Sequence, residues 1–324
     1  MNKNEARYKY IYGPVPSRRL GRSLGVDLLP FKVCSYDCIY CQLGRTKQKT
    51  VLRKEYVPTS EVIEEIRRKI HENCEMDFIS FAGSGEPTLH SGLKEIILSI
   101  KEMTKIPVAV LTNGSLLYLE EVSDALMNAD VVIPSLDAGT RTGFLKVNRP
   151  CPSIDFEKMC EGIVEFSKNF TGKVWLEVMV VKGYNDRDEE IAKIASFVNR
   201  MKVDKIQLNT VVRPPAERFA EPASEDELLR LKKYFQGEVE VIGTVKKALE
   251  APSNVQQKDL EDRILALIRR RPVTLEDIGI GLSLRNAEVA KAVTNLLGKK
   301  MIRVQLKGGK SYYIEDDERR KKSR

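Results

Sequence analysis

The chain has 324 residues, with 54 Lys or Arg against 46 Asp or Glu, and its formal net charge is +8. Hydrophobic residues make up 42% of the sequence, enough for a full core, and the length slightly exceeds what one domain usually needs. A mean hydropathy of −0.31, without an apolar run near the roughly 18 residues that cross a bilayer, predicts that this is not a membrane protein. Residues 1–7 lack the apolar stretch of a signal peptide, so a cytoplasmic location is expected.

The charge is unevenly placed along the chain. Residues 1–54 hold 12 basic and 3 acidic side chains, residues 55–254 hold 25 and 33, and residues 255–324 hold 17 and 10. The net charges of these three parts are +9, −8 and +7. An acidic body with two basic ends predicts that an anionic partner docks at the ends.

Short apolar runs alternate with amphipathic stretches between residues 23 and 210. Residues 61–70, for example, repeat apolar positions at the i, i+3/i+4 spacing of a helix. The predicted strands are 24–29, 76–82, 108–112, 131–135, 173–181 and 205–210, and the predicted helices are 60–73, 92–104, 118–128, 155–168 and 188–202. Strands that alternate with helices predict an α/β fold with a parallel sheet, either open or closed into a barrel.

The pattern changes after residue 215. A helix at about 225–235 and an apolar run at 239–242 precede a linker at 251–254. Three further helices follow, at 259–271, 275–279 and 285–299, and then a hairpin with arms 301–306 and 311–314. Gly308 and Gly309 supply the positive φ that the hairpin turn needs. This order resembles a winged-helix module over residues 255–314, and the charged tail, 315–324, is expected to be disordered.

Six cysteines occur, and three of them are crowded into eight residues directly after the first predicted strand. In a parallel α/β fold that position is the carboxyl edge of the sheet, where active sites are built. Disulfide frameworks belong to short secreted chains, so a metal or redox role in a reducing compartment is the better interpretation. The crowded three are Cys34, Cys38 and Cys41, and the scattered three are Cys74, Cys151 and Cys160.

The spacing of the crowded cysteines favours an iron–sulfur cluster. Three thiolates can bind three irons of a 4Fe-4S cube and leave the fourth iron open. The alternative is a structural zinc site, which needs four ligands. A fourth ligand would have to be His71, His90 or a distant cysteine, and none of them stands at an ordinary zinc spacing.

The segment from Cys34 to Cys41, with the aromatic Tyr40 before the third cysteine, resembles the signature of the radical S-adenosylmethionine (SAM) superfamily. The resemblance covers roughly residues 10–215 and implies a partial (β/α)6 TIM-like barrel. It also implies that Cys34, Cys38 and Cys41 hold a 4Fe-4S cluster whose open iron binds SAM. In that family, one electron breaks a carbon–sulfur bond of SAM, giving methionine and a 5′-deoxyadenosyl radical that abstracts hydrogen from a substrate.

A second match stands one β/α unit later. Gly83-Ser84-Gly85-Glu86-Pro87-Thr88 is similar to the family's glycine-rich segment, whose backbone and acid hold the amino group of SAM. Glycines allow close backbone approach, and a carboxylate suits an ammonium group. The resemblance also implies SAM contacts at later strand ends, where a turn or capping role is the alternative. These further candidates are Asn113, Ser135, Asp137, Gln207 and Asn209.

Cations and amides gather after the last three predicted strands and suit an anionic substrate, such as a nucleic acid or a phosphorylated metabolite. The alternative is ordinary solvated surface. The candidate substrate residues are Lys146, Asn148, Arg149, Lys182, Asn185 and Arg213, joined by Arg18, Arg19 and Arg22 before the first strand. In the winged-helix module the expected nucleic-acid contacts are Arg285, Lys291, Lys299, Lys300, Lys307 and Lys310. Such modules also dock proteins, because fold alone does not fix function.

Two segments, residues 13–19 and 209–215, resemble a branch of the superfamily grouped with tRNA wyosine synthases. Wyosine synthases that condense pyruvate with guanosine hold a second cluster on upstream cysteines, yet no cysteine precedes Cys34 here. That particular reaction is therefore not expected, and Cys151 and Cys160 are expected to be structural.

The expected function is that of a radical SAM enzyme acting on RNA, with tRNA as the expected substrate and a ferredoxin or flavodoxin as electron donor. One alternative acts on a protein or small metabolite, and another is a non-enzymatic iron–sulfur redox sensor that binds DNA. The expected domains are a barrel over 1–215, an extension and linker over 216–254, the module over 255–314 and the tail over 315–324.

Overall fold

The computed structural model describes residues 8–17, 19–72, 74–242, 257–282, 284 and 286–316. Two candidate nucleic-acid contacts, Arg18 and Arg285, lie outside the described residues. So do the expected linker at 251–254 and the tail from residue 317 onward. Within the described ranges, the structure contains no helix with the length and apolar character needed to cross a membrane.

The chain alternates strands and helices up to residue 241 and then continues with three helices and a hairpin. The strands are β1 Ile11–Ser17, β2 Gly21–Val26, β3 Val33–Cys34, β4 Gln48–Lys49, β5 Phe78–Phe81, β6 Val108–Thr112, β7 Val131–Pro134, β8 Lys173–Val180, β9 Lys205–Thr210, β10 Val239–Val241, β11 Ile302–Lys307 and β12 Lys310–Glu315. The helices are α1 Thr59–His71, α2 Leu93–Met103, α3 Glu120–Leu126, α4 Arg141–Val147, α5 Phe156–Asn169, α6 Asp188–Val198, α7 Glu225–Lys232, α8 Gln257–Arg270, α9 Leu275–Leu282 and α10 Asn286–Gly298.

One sheet runs through the described part of the chain in the order β1-β2-β5-β6-β7-β8-β9-β10. The six strands predicted from the sequence correspond to β2 and β5 to β9, and each pairs in parallel with its neighbour. The predicted α/β fold with a parallel sheet is therefore confirmed. The first strand begins and ends three residues earlier than predicted, at Gly21–Val26.

Two strands extend the sheet beyond the prediction. β10 adds in parallel to β9, and β1 pairs antiparallel with β2. The sequence pattern missed β1 because Pro14 and Pro16 interrupt it, and proline cannot donate to a ladder. β1 tolerates them because it stands at the edge of the sheet order, with a partner on one side.

The sheet curls strongly. In a flat sheet, β5 and β8 would lie three strand spacings apart, roughly 14 Å. The rings of Phe78 on β5 and Trp175 on β8 nevertheless meet with their centroids 6.3 Å apart. The strands therefore wrap around a shared interior as a partial barrel, and the side chains on that inner face can converge.

The alternating side chains of β8 show which face of the sheet the helices cover and which faces the barrel interior. Leu176 and Val178 are fully buried and belong to the main core, together with Ile96 of α2 and Ile163 of α5. The helices therefore cover the outer face of the sheet. Glu177 alternates with these residues and points to the inner face, because successive side chains of a strand face opposite sides.

The last three helices and the hairpin form a second core, and the order of elements matches the prediction. β11 and β12 pair through to Lys307 and Lys310, so a two-residue turn joins them. Gly308 and Gly309 take φ values of 53° and 72° there, as a type I′ turn requires. Val15 of β1 shares this core, and α8 and α9 pack against β1. The described residues from 257 to 316, called the C-terminal module below, thus rest on the edge of the barrel.

Candidate functional site

The cysteine loop is the long connection between β2 and α1. Its backbone closes on itself, because the amide of Thr50 donates to the carbonyl of Cys34 at 3.0 Å. Thr46 also donates from its amide to Oδ1 of Asp37 at 2.6 Å and from its hydroxyl to the carbonyl of Tyr36 at 2.7 Å. Local hydrogen bonds therefore hold the loop that carries the three cysteines.

Each of the three sulfur atoms has its own nitrogen donor. Nδ2 of Asn113 lies 3.6 Å from Sγ of Cys34, and Nδ2 of Asn148 lies 3.6 Å from Sγ of Cys38. Nζ of Lys32 lies 3.1 Å from Sγ of Cys41. Hydrogen bonds from nitrogen donors stabilise negative charge on sulfur, so this donor set suits three thiolates bound to metal.

The thiols lie deep in the loop, although each of them keeps some exposed surface. Burial raises the pKa of Cys34 to about 12, and it raises the pKa of Cys38 well above its ordinary value. Burial therefore favours the neutral form of both thiols over the thiolate. A coordinating metal deprotonates a thiol outright, which makes this loop dependent on a bound centre for its charged form.

The zinc alternative finds little support in the arrangement of His90. This imidazole is fully buried, its Nδ1 accepts from the amide of Gly92 at 3.1 Å, and its Nε2 donates to the carbonyl of Val57 at 2.9 Å. Both ring nitrogens are therefore engaged with backbone. Within the described ranges, no three His, Cys, Asp or Glu side chains are grouped as a site for a single metal ion.

The glycine-rich segment, residues 83–86, lies directly on the cysteine loop. A side-chain carbon added to Gly85 would stand 1.9 Å from the carbonyl oxygen of Val33, so no other residue fits there. The amide of Lys32 donates to the carbonyl of Ser84 at 2.7 Å. The fold thus brings together the two motifs that the sequence separates by about one β/α unit.

Glu86 is 2% exposed and fastens the ends of two strands to each other. Its Oε1 accepts from the hydroxyls of Thr88 at 2.7 Å and Thr112 at 2.6 Å, and its Oε2 accepts from the amide of Asn113 at 2.7 Å. Burial raises the pKa of this carboxyl, while the hydrogen bonds from Asn113, Thr112 and Thr88 oppose that rise. Glu86 therefore holds the glycine-rich segment against the end of β6, and it places a carboxylate there.

Asp137, at the end of β7, is the centre of a second buried network. Its carboxylate accepts from the hydroxyl of Tyr40, from Nδ2 of Asn148 at 2.7 Å and from the amide of Met179 at 2.9 Å. Burial raises the pKa of Asp137 to about 6, against the effect of these donors. Asn185 is fully buried and donates to the carbonyl of Asp137 at 2.7 Å. Asn148 and Asn185, two of the candidate substrate residues, are therefore buried beside Asp137.

The inner face of the sheet is polar near β8 and β9. Asn209 donates to Oε2 of Glu177 at 3.3 Å, and Arg19 forms an ion pair with the same carboxylate. Gln207 is 1% exposed, and its Oε1 has no hydrogen-bond partner among the described residues. Ser135 joins β8 through a bridge to Glu177. These side chains line the interior rather than the outer surface.

The expected substrate cations do not converge on one point. Lys146 and Lys182 are exposed, and Arg149 pairs with Glu217 at 2.5 Å. Nη1 of Arg213 lies 3.4 Å from Oε1 of Gln42. Arg22, at the start of β2, pairs with Glu75 and Asp77 at the opposite edge of the sheet from the cysteines.

Two site residues escaped sequence reasoning. Lys32 is 3% exposed and takes a φ of 64°, and a lysine two residues before the first cysteine is the signal that could have found it. Asp27 follows β2 directly and accepts from the amide of Ser84 at 2.9 Å. An acid at the carboxyl end of the first parallel strand was the available clue.

A sequence profile described as the radical SAM superfamily matches residues 28–195. A protein named GTPase Obg from Brachyspira hyodysenteriae is 38% identical over 307 residues, 95% of this chain, but the chain spans just 45% of that relative's length. A UPF0026 protein of Methanocaldococcus jannaschii is 31% identical over 318 residues, which cover 96% of this chain and 98% of that protein.

The crystal structure of a radical SAM methyltransferase from Sphaerobacter thermophilus aligns with a TM-score of 0.51 at 16% identity. The alignment covers 68% of this chain and 65% of that chain, and at this identity it indicates the fold alone. The family match favours an enzyme over the redox-sensing alternative. Since the profile spans more than half of the chain, the protein belongs to the radical SAM superfamily, whose members are enzymes that bind a 4Fe-4S cluster and SAM.

Proposed function

We propose that the protein holds a 4Fe-4S cluster at Cys34, Cys38 and Cys41 and uses radical SAM chemistry on RNA, with tRNA as the substrate. The observation that carries the cluster assignment is the matched set of three sulfur atoms and three nitrogen donors. Metal-bound thiolates accept such hydrogen bonds, and these bonds tune the centre that the thiolates hold.

When bound, the cluster and SAM supply a one-electron cleavage of SAM that yields a carbon-centred radical. The chain's own residues bind SAM and fix its orientation. Gly83 and Gly85 let the backbone of the segment lie close against Asp27 and Val33, and Glu86 presents a fixed carboxylate that suits the amino group of SAM. Oε1 of Gln207, which has no hydrogen-bond partner in the described part of the chain, is an acceptor on the inner face that suits the amino group of adenine.

Cys38→Ala is the direct test of this assignment. After anaerobic reconstitution, the wild-type protein is expected to bind about one 4Fe-4S cluster and to release 5′-deoxyadenosine from SAM and a reductant. The variant is expected to lose both properties. Cys74→Ala is the matched control, because Cys74 lies outside the loop and its sulfur contacts Glu72 instead. A Cys38→Ala protein with normal cluster content and normal SAM cleavage would sink the assignment.

The RNA part of the proposal is supported by charge and by the C-terminal module. We interpret α8, α9, α10 and the β11–β12 hairpin as a winged helix. Lys299 pairs with Glu261 at 2.6 Å and Lys307 lies 3.4 Å from the carbonyl of Ala220, so these two are engaged within the protein. The remaining exposed lysines that carry the proposal are Lys291, Lys300 and Lys310.

Charge reversal of Lys291, Lys300 and Lys310 to Glu tests RNA binding. The expected result is weaker binding of unmodified tRNA in a mobility-shift assay. The slope of log affinity against log salt should fall by about 0.7 to 0.9 for each phosphate that the variant no longer neutralises. Reversal of Lys105, Lys232 and Lys233, which are exposed on the barrel and its extension, is the control. Equal binding by the two triple variants would contradict a role for the module in binding RNA.

Further parts of the proposal follow from the chemistry. A ferredoxin or flavodoxin is the proposed electron donor, and a reducing cytoplasm is the proposed location, in keeping with six free cysteines. The domain boundaries at residues 215, 254 and 314 remain proposals, which limited proteolysis with mass spectrometry can test.

A further inference from the structure

The C-terminal module touches the barrel close to the glycine-rich segment. Arg270, the last residue of α8, points out of the module, and its side chain is 12% exposed. Its Nη2 donates to the carbonyl of Lys9 at 3.2 Å, and its guanidinium lies 4.6 Å from the ring centre of Tyr12 on β1. Arg270 therefore adds a polar link between the module and the start of the barrel, beside the apolar packing of α8 and α9 on β1.

Arg270 also forms an ion pair with a buried carboxylate of the barrel. Its Nε lies 3.4 Å from Oδ2 of Asp27, whose side chain is 9% exposed. Nε of Arg270 makes no hydrogen bond with any described residue, so its interaction with Asp27 is an ion pair without a hydrogen bond. Removing one partner of a buried ion pair leaves the other charge uncompensated, which is strongly unfavourable. Arg270 thus supplies, from the module, the charge that compensates the Asp27 carboxylate.

Asp27 in turn holds the glycine-rich segment. Its Oδ1 accepts from the amide of Ser84 at 2.9 Å, and its Oδ2 accepts from the Ser84 hydroxyl at 2.6 Å. A side-chain carbon on Gly83 would lie 2.4 Å from the Asp27 carboxylate carbon, so the carboxylate lies close against this backbone. The chain of contacts runs from Arg270 through Asp27 to Ser84, between the two glycines of the segment.

Tyr12 provides a second, parallel connection. Its hydroxyl donates to the carbonyl of Ala82 at 3.1 Å, directly before Gly83. Gly25 leaves the space that its ring fills, since a side-chain carbon there would stand 2.0 Å from the ring. Arg270 lies over the ring of Tyr12 and also pairs with Asp27, so it contacts both residues that hold the glycine-rich segment.

We propose that Arg270 is a positioning residue, which holds Asp27 and Tyr12 so that residues 83–86 keep the conformation that receives the amino group of SAM. Docking of the C-terminal module on the barrel thereby sets the affinity for SAM. The part of this inference that concerns SAM affinity rests on the proposed function. The coupling of Arg270 to residues 83–86 is a property of the protein alone.

The test compares Arg270→Gln with Arg269→Gln in the full chain. Arg269 neighbours Arg270 on α8 but pairs with Glu315 inside the module, at 2.9 Å, which makes it the matched control. Hydrogen exchange of the cluster-free protein is expected to show the Ser84 amide exchanging about tenfold faster in Arg270→Gln. Peptides from α2 and α5 should keep the wild-type rate. Asp27→Asn should accelerate the same amide, and the double variant should add little to either single one.

Arg270→Lys keeps a positive charge beside Asp27 and is expected to recover most of the protection. In the reconstituted protein, Arg270→Gln should weaken equilibrium binding of SAM by about tenfold, with iron content unchanged. Ser84 exchange that is the same in Arg270→Gln and Arg269→Gln would overturn the proposal. Acceleration spread evenly over the whole chain would overturn it too, because Arg270 would then be a general stabilising residue. A wild-type protein that binds no SAM would contradict the proposed function, whereas the exchange comparison would still decide the coupling.

Discussion

The cysteine site and the exposed face of the C-terminal module are built in opposite ways. Around the cysteines, Glu86, Asp137 and Asn148 are at most 3% exposed and form hydrogen bonds within the protein. On the module, Lys291, Lys300 and Lys310 stand exposed. Buried polar groups must be satisfied by the fold, whereas exposed cations are satisfied by water until a partner replaces it. The site is therefore fixed before anything binds, and the module's face is not.

The largest effect is expected for Gly85→Ala. The added carbon would meet the carbonyl of Val33 at 1.9 Å, so the glycine-rich segment must move away from the cysteine loop. Overpacking of this kind costs about 1 to 3 kcal/mol in unfolding free energy, and SAM binding should be lost. Urea unfolding and equilibrium dialysis measure the two effects. Gly298→Ala meets no atom within 4 Å and is the control. Normal SAM binding by Gly85→Ala would break the picture of a prearranged site.

The second-largest effect is expected for Asn148→Ala. This side chain links Sγ of Cys38 to the Asp137 carboxylate, so its removal leaves a sulfur without its nitrogen donor. Removal of such an outer partner typically lowers metal affinity or activity by about 10- to 100-fold. Iron content after challenge with a chelator measures the change. Asn169→Ala, at an exposed helix end, should behave as wild type. Equal iron retention in both variants would place Asn148 outside the cluster environment.

Lys32→Met should change the electronic properties of the cluster more than its presence. The ammonium beside Cys41 stabilises the more negative, reduced cluster, so its loss should lower the reduction potential. A tenfold change in the redox equilibrium corresponds to about 60 mV for one electron, and a decrease of that order is expected in a titration followed by electron paramagnetic resonance. Lys49→Met, in the same loop but exposed, is the control. An unchanged potential would show that the contact does not persist around the cluster.

The smallest effect on stability is expected for the module's exposed lysines. Each of Lys291→Glu, Lys300→Glu and Lys310→Glu should change the unfolding free energy by less than about 0.5 kcal/mol, because none of these side chains is buried. Urea titration of the single variants checks this. Decreases of about 2 kcal/mol or more, the size of a core substitution, would mean that the face is packed against something and is not an open docking surface.

Sequence by itself determined the architecture of the barrel. Six runs of the right period gave six parallel strands, since burial on the helix-covered face demands regular apolar spacing. The cysteine spacing and the Gly83–Glu86 motif also indicated the family, and the family profile matches the stretch that contains both. These features are local, so a local pattern records them.

Tertiary structure alone decided which polar residues act together. Asn148 and Asn185 were expected to contact substrate, but both are buried and hydrogen-bonded to Asp137, which stands at least 11 residues away along the chain. The clues to Lys32 and Asp27 were single residues near a cysteine or a strand end, and most of the chain separates Arg270 from Tyr12. A buried charge chooses its partner by proximity in the folded state, and sequence spacing carries no trace of a contact formed by strand order and sheet curvature.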